Sequence, residues 1–377
     1  MSILWLILGA MALFLLQRQV YGRFWDKGLW AGLEFERKSA VEGEECHLLE
    51  RVENRKSLPL PMVKVKFQMS RNLCFADEGD SAVTDQYYRN DILSLGPNQR
   101  IIRKLPFLCQ ARGYYRIRGL DLVGTDLFLS REMVTEVEGG STLYVYPKPA
   151  QGAGLMTALR KLNGEILAKR HMLEDPFEYR GIREYAPFDE MKSINWKATA
   201  RMDDLMVNMR GYTSLKSVHV YVNLEDSGVW RRRELSELCI RIAARVTGEL
   251  LGQGIRTAVY CNGRDILNGE IMRIPAAAGE GQMEGINRAF ARLDADRTVP
   301  FGEAFTEELE REERDAAVLF ISVERGSRFV EILDRLAGRG SDFAWFCPLL
   351  AGMEAGVENP ERLRFTRLCA EEMLDGT

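Results

Sequence analysis

Two places in the chain gather side chains able to bind or move charge. The first is a pair of polar runs, each following an apolar stretch: Asn223, Leu224, Glu225, Asp226 and Ser227 after SVHVYV, and Ser322, Val323, Glu324 and Arg325 after AAVLFI. Carboxylates and hydroxyls just beyond the C-terminal ends of parallel strands stand where open α/β sheets hold their ligands. The alternative is a solvated loop that only closes the sheet. The second place is Arg180 to Arg201, RGIREYAPFDEMKSINWKATAR. Residues 178 to 210 hold six basic side chains (Arg180, Arg183, Lys192, Lys197, Arg201, Arg210) and six acidic ones (Glu178, Glu184, Asp189, Glu190, Asp203, Asp204). An internal ion-pair network accounts for them without a ligand; a surface for a partner or an anion is the other reading. Tyr185, Pro187 and Phe188 lead into Asp189, which predicts a helix cap at Asp189. Trp196 is expected to fill a core or an interdomain joint.

Nucleophilic and redox chemistry have fewer footholds. The histidines are His47, His171 and His219, and His47 follows Cys46 directly. Neighbours on a strand point to opposite faces, which counts against that pair as nucleophile and base. A hydrolase or transglutaminase-like enzyme would need a Ser or Cys brought to a histidine by the fold. Seven cysteines, at positions 46, 74, 109, 239, 261, 347 and 369, are odd in number, scattered and never in CxxC spacing. They predict neither a disulfide framework nor a zinc site and fit a reducing compartment. P-loop, GxGxxG-after-strand and HExxH patterns are missing as well, so the sequence predicts no enzyme.

The elements that must position these residues fall into two grammars. From about Leu215 to Leu350, apolar strands (SVHVYVNLE, RTAVYCNG, AAVLFIS, DFAWFCPLL) alternate with amphipathic helices. The helix from about Arg231 to Leu251 repeats Leu235, Leu238, Ile242, Val246 and Leu250 at helical spacing, and Gly252 and Gly254 end it. Further helices are predicted over about Gln282–Leu293, Gly302–Glu313 and FVEILDRLAG. This alternation predicts an α/β domain with a mostly parallel sheet. The acidic run Gly302 to Asp315 reads as a solvated face, with docking of a basic partner as the minority reading. From Trp30 to Pro149 short apolar alternations are broken by Gly, Pro, Asn and Asp, as in MVKVKFQMS, where Val63, Val65 and Phe67 oppose Lys64 and Lys66. That rhythm predicts an antiparallel β-sandwich of seven or eight strands, with a spacing or protein-binding role. LMTALRKLNGEILAKRHM reads as one helix linking the sandwich to the charged segment.

At the start, MSILWLILGAMALFLL carries no charge and is followed by Arg18, Arg23 and Lys27 with Tyr21, Trp25 and Trp30 interleaved. The sixteen residues reach roughly 24 Å, which snorkelling of Arg18 extends toward a hydrocarbon core of about 30 Å. Charge and aromatics after the apolar run, not before it, predict an uncleaved anchor over a signal peptide and place the globular part in the cytoplasm. The organisation expected is therefore an anchor (1–22), a sandwich (30–149), a linker helix with the charged segment (150–210), an α/β domain (211–350) and a C-terminal tail (351–377). In 377 residues, 46% hydrophobic and 28% charged composition excludes extended disorder, and a formal charge of −4 provides no field for a phosphate backbone.

The segment 180–201 resembles the signature of the domain of unknown function 58 family, approximately R-E-Y-x-x-G-D-x-x-R-x-I-D-W-K-x-S-A-R. Arg183, Glu184, Tyr185, Pro187, Asp189, Ile194, Trp196, Lys197, Ala200 and Arg201 match, while Phe188, Lys192, Asn195 and Thr199 depart from it. The order of anchor, sandwich, signature and a domain similar to von Willebrand factor type A resembles the family over almost the whole length. The resemblance implies that a MoxR-type AAA+ ATPase is the partner, in assembly or maturation of other proteins. Type A domains often bind a divalent metal such as Mg through D-x-S-x-S after the first strand. Here Asn223 and Glu225 replace the first Asp and the first Ser of that pattern, leaving Glu225, Asp226, Ser227 and Glu324 as degenerate ligand candidates. The function expected is a membrane-anchored, non-enzymatic interaction protein. The alternative is a surface adhesin or polysaccharide-binding protein with a metal-dependent type A domain, which requires the opposite topology.

Overall fold

A computed structural model describes residues 2–75, 81–83, 86–172, 174–187, 189–202, 204–212, 217–227, 232–310 and 316–374. Phe188, Asp203 and residues 311–315 lie outside the described residues, as do the side chains of His171, Glu178, Arg180 and Arg210. Two compact units divide the chain, residues 1–148 with 290–292, and residues 149–289 with 293–377.

The first unit opens with helix α1 (Ser2–Phe24), which is long and apolar enough to cross a membrane. Its strands are β1 (Leu29–Phe35), β2 (Ser39–Val41), β3 (Glu45–Asn54), β4 (Leu60–Ser70), β5 (Leu73–Phe75), β6 (Ser81–Val83), β7 (Gln86–Leu95), β8 (Arg100–Cys109), β9 (Gly113–Thr125) and β10 (Glu132–Tyr146). They form two sheets, in the orders β1-β3-β8-β5 and β2-β10-β9-β4-β7-β6. Pairing is antiparallel apart from β2, which runs parallel to β10. Alternation decides which side chains enter the core: on β4, Val63, Val65, Phe67 and Met69 are buried while Lys64 and Lys66 point away. Ten strands stand where seven or eight were expected. The additional ones are the three-residue pieces β2, β5 and β6, too short to show a period of two.

Helix α1 runs into this core. Phe14, Gln17 and Tyr21 recur at helical spacing, and together with Trp25 just beyond the helix they are its covered positions amid otherwise exposed neighbours. Tyr21 and Trp25 are 1% and 4% exposed, and the Tyr21 hydroxyl donates to the Pro59 carbonyl at 2.8 Å. Gly124 has no side chain because the Trp25 ring lies over it; a Cβ there would stand 2.4 Å from the indole.

The second unit begins with α2 (Ala153–Met172), the single helix expected there. Next come β11 (Glu174–Glu184), a 3-10 turn (Met191–Ser193), α3 (Trp196–Met202) and β12 (Met206–Tyr212), with β11 and β12 paired antiparallel. The α/β part comprises β13 (Ser217–Asn223), α4 (Arg233–Gly252), β14 (Thr257–Asp265), β15 (Ile271–Ala277), α5 (Glu280–Arg292), β16 (Leu293–Thr298), α6 (Phe301–Glu310), β17 (Ala316–Ser322), α7 (Ser327–Gly338), β18 (Phe343–Leu349), β19 (Phe365–Cys369) and α8 (Glu371–Leu374). Strands β14, β13, β17, β18 and β19 are parallel neighbours in that order, and β15 and β16 pair antiparallel with β14. Every residue of β17 is buried, as a strand covered on both faces requires. Helix α4 buries the five apolar positions that its spacing marks, and the left-handed Gly254 (φ +71°) follows its C-terminus. Two expectations change here. The segment DFAWFCPLL does not close the sheet, because β19, inside the stretch read as a tail, pairs outside it. Of the antiparallel strands, β16 (LDADRT) carries too few apolar residues to stand out in the sequence, and β15 (IMRIPAA) is interrupted by Arg273 and Pro275 and shows no clean alternation of burial.

Candidate functional site

Parallel pairing sets Asn223 of β13 against Ser322 of β17, so the two polar runs meet at one edge of the sheet. There Glu324, 5% exposed, accepts from the Ser227 N–H at 2.6 Å, the Ser227 hydroxyl at 2.7 Å and the Gly326 N–H at 2.5 Å. Its own N–H donates to the Ser322 hydroxyl oxygen at 3.0 Å. Gly326 is required by this clasp, since a Cβ at that position would lie 2.5 Å from Glu324 Oε1. Asn223 is fully buried; its Oδ1 accepts from the Glu225 N–H at 3.0 Å and from Asn262 Nδ2 at 2.9 Å. Beside the clasp a cleft of about 460 Å³ is lined by Asp226, Ser227, Arg232, Arg325 and Met353 among others.

These residues do not fit a divalent cation. A hard cation needs several oxygen ligands converging on one point, and each candidate is engaged elsewhere. Glu225 Oε2 accepts from the Phe301 N–H at 3.0 Å at the start of α6, Asp226 Oδ2 accepts from the Arg232 N–H at 3.1 Å, and Glu324 is clasped by Ser227 and Gly326. Among the described residues no group of three or more His, Cys, Asp or Glu side chains is arranged to hold a metal. The amide at Asn223 explains the difference from the metal pattern, because its Oδ1 is spent inside the loop.

A serine does meet a histidine. Ser217 Oγ lies 2.9 Å from His219 Nε2, the i and i+2 positions on one face of β13. Both sit toward the N-terminal end of the strand, away from the cleft at its C-terminal end, and Ser217 is 8% exposed. The contact is a strand-face hydrogen bond within a sheet flanked by β14 and β17. All seven cysteines are free thiols.

The signature segment is held together by short-range contacts. Arg183 forms a two-pronged pair with Asp189, Nη1 to Oδ2 at 2.7 Å and Nη2 to Oδ1 at 2.5 Å, and Asp189 Oδ2 also accepts from the Ala186 N–H at 2.8 Å. The Arg183 guanidinium, with the Ala186 N–H, holds the Asp189 carboxyl below the usual carboxylate range. Asp189 is therefore no helix cap; it closes the turn before it. The cap falls to Asn195, whose Oδ1 accepts from the Ala198 N–H at 3.0 Å at the start of α3. Asn195 Nδ2 also donates to Asn208 Oδ1 at 2.6 Å, and Thr199 Oγ1 accepts from the Met206 N–H at 3.0 Å. Asn195 and Thr199, two departures from the family pattern, thus tie α3 to β12.

Trp196 corrects a second expectation. It is 65% exposed, and α3 buries none of its residues. The helix is seven residues long and anchored by Asn195 and Thr199, which leaves the indole at its first position no core to enter. Lys197 and Arg201, one turn apart on the same helix, have no ion-pair partner among the described residues, whereas Lys192 pairs with Glu190 at 2.7 Å. Tyr185 is half-buried and Glu184 exposed, both on the β11 edge that pairs with β12 and its approach. Among the described residues the segment's ion pairs are Arg183–Asp189 and Lys192–Glu190, and Lys197 and Arg201 of α3 are exposed.

Residues 181–341 match the model of the family described as protein of unknown function DUF58. The DUF58 match runs from within β11 to just past α7 and covers less than half of the chain. No curated protein matches the chain. Among solved structures, a CARDB domain from Pyrococcus furiosus is 17% identical over 32% of this chain and 91% of its own, with a TM-score of 0.22. A cohesin module of a family 33 glycoside hydrolase from Clostridium perfringens is 9% identical over 31% and 98%, with a TM-score of 0.24. A non-cellulosomal cohesin from Archaeoglobus fulgidus is 10% identical over 30% and 90%, with a TM-score of 0.21.

Reading the sequence alone missed Asn262 and Gly326 at the sheet edge. Gly326 had a usable signal, a glycine immediately before an amphipathic helix. Asn262 had none, because its role depends on the 2.9 Å contact with Asn223, thirty-nine positions away.

Proposed function

We propose that the chain is a membrane-anchored, non-enzymatic interaction protein whose signature helix α3 docks a protein partner. The observation that carries this is Trp196, a large apolar side chain left in solvent beside Lys197 and Arg201, which have no ion-pair partner among the described residues. Tryptophan and arginine dominate the energetics of protein interfaces, and covering one such indole contributes on the order of 2 to 3 kcal/mol. The parallel order of β14, β13, β17, β18 and β19 supports a second unit of the von Willebrand factor type A kind, and the hydrogen bonds that engage Glu225, Asp226 and Glu324 within its edge support docking through α3 over a metal-dependent contact there. The burial of Tyr21 and Trp25 supports an uncleaved anchor, since removing α1 would leave two holes in the sandwich core. Cations after the apolar run and seven free thiols favour the cytoplasmic side for both units. The family resemblance points to a MoxR-type AAA+ ATPase as the partner.

The test is affinity capture of the detergent-solubilised full-length protein from its own cells with ATP present, with partners identified by mass spectrometry. The expected result is an AAA+ ATPase that disappears on Trp196→Ala or Arg201→Glu in protein with an unchanged melting profile. Capture of no ATPase, or capture indifferent to both substitutions, overturns the reading.

A further inference from the structure

The turn between β9 and β10 is DLFLS, and its three central residues, Leu127, Phe128 and Leu129, are 52%, 58% and 58% exposed. The turn is built to hold them outward. Asp126 is buried, and its carboxylate accepts from the Ser130 N–H at 2.6 Å, from the Ser130 hydroxyl at 2.5 Å and from Gln17 Nε2 of α1 at 3.1 Å. Phe128 lies against Phe14 of α1, ring centroids 5.8 Å apart. The tip therefore stands level with positions 14 to 17 of the apolar helix. A shallow apolar groove continues from it over Pro61, Met62, Ile92 and Leu93.

Length fixes what surrounds this tip. Crossing a hydrocarbon core of about 30 Å takes roughly 20 helical residues. The uncharged run that ends at Leu16 reaches roughly 24 Å into that thickness, and Phe14, against which Phe128 lies, falls within it. If α1 spans a membrane, the tip is in lipid. Cations collect just beyond that depth: Arg18, Arg23 and Lys27 are exposed, and Arg131 approaches α1 so closely that a Cβ on Gly22 would lie 3.5 Å from its Nη1. They match the headgroup layer of an anionic leaflet.

We propose that Leu127, Phe128 and Leu129 insert into the lipid bilayer beside α1 as a second membrane contact, fixing the sandwich against the membrane surface. This rests on α1 being a membrane anchor. Burying three apolar side chains in acyl chains and holding cations at the headgroups adds a second point of attachment to the one that α1 provides.

The experiment is nitroxide scanning of the full-length chain in vesicles of phosphatidylcholine and phosphatidylglycerol, with Cys74 and Cys369 replaced by serine. Labels go at Leu8→Cys, Phe128→Cys, Leu127→Cys and Gln110→Cys, the last an exposed site before the far end of β9. Collisions with oxygen and with a water-soluble nickel chelate are measured. At positions 127 and 128 the expected result is the pattern of position 8: a gain in oxygen collisions and a loss of nickel collisions relative to position 110. A label at position 8 in lipid with both tip labels matching position 110 overturns the proposal and leaves the anchor standing. A label at position 8 in water overturns both.

Discussion

Glu50 occupies a β3 position whose side chain the alternation sends into the sandwich core, where it is 1% exposed. Neither carboxyl oxygen has a hydrogen-bond donor among the described residues; Arg103 Nη1 of β8 is 3.5 Å away, and the Arg89–Asp91 pair of β7, joined at 2.8 Å, is close by. Burial, reinforced by Asp91 and opposed by Arg103 and Arg89, pushes the Glu50 carboxyl up to about 7. In the unfolded chain it returns to about 4.3. Between those values the folded form keeps a proton that the unfolded form has lost, so stability falls as pH rises through the window and levels off above it, by on the order of 3 kcal/mol. Glu50→Gln is expected to stabilise the protein at about pH 8 and to make little difference at about pH 4.5, measured by urea unfolding. Equal effects at both pH values would refute the buried-carboxyl account. At the sheet edge, Gly326→Ala pushes a methyl into the Glu324 carboxylate, and a loss of about 1 to 3 kcal/mol in the same assay is expected. Thiols follow burial too: Cys109 and Cys347 are pushed up to about 12, while Cys369 is exposed and Cys74 half-buried. A maleimide should label those last two in the native protein, and the other five only after denaturation.

Helix α1 is an element with two environments, its first turns exposed and apolar and its last turn seated in the sandwich core. Trp25→Ala is expected to cost about 3 to 5 kcal/mol in the first unit by opening a cavity over Gly124, seen as a lowered thermal midpoint in detergent. Charge reversal at Lys197 or Arg201 should leave the melting profile of the second unit unchanged, because both are exposed and have no ion-pair partner among the described residues. The apolar periodicity of α4, the alternation of β4 and the apolar runs of β13 and β17 were all legible in the sequence, since burial on one or both faces writes itself into residue type. The short edge strands β2, β5 and β6 were not, and β19 was missed because its five residues, FTRLC, carry no clear period. The sheet-edge polar cluster was legible as a location through the strand-end rule, yet its chemistry was not. Whether Glu324 is a ligand or a clasp depends on the donors at Ser227 and Gly326, and only the fold brings Ser227 to it. Trp196 shows the same limit, as residue type argued for burial while seven residues of helix supplied nothing to bury it.

At the scale of the whole molecule, one unit carries a helix long and apolar enough to cross a membrane and the other carries the exposed helix α3 proposed to dock a partner. With a formal charge of −4 on 377 residues, general electrostatic attraction is weak, so the proposed recognition rests on local chemistry such as that of α3. A C-terminal reporter should give a cytoplasmic signal; an external signal would move the reading toward the adhesin. The most direct measurement is photo-crosslinking in living cells from benzoylphenylalanine placed at Trp196, compared with the same group at Gln110. The account predicts an adduct with an AAA+ ATPase from position 196, absent from position 110 and lost on Arg201→Glu. No adduct at position 196, or the same adducts from both positions, would contradict it.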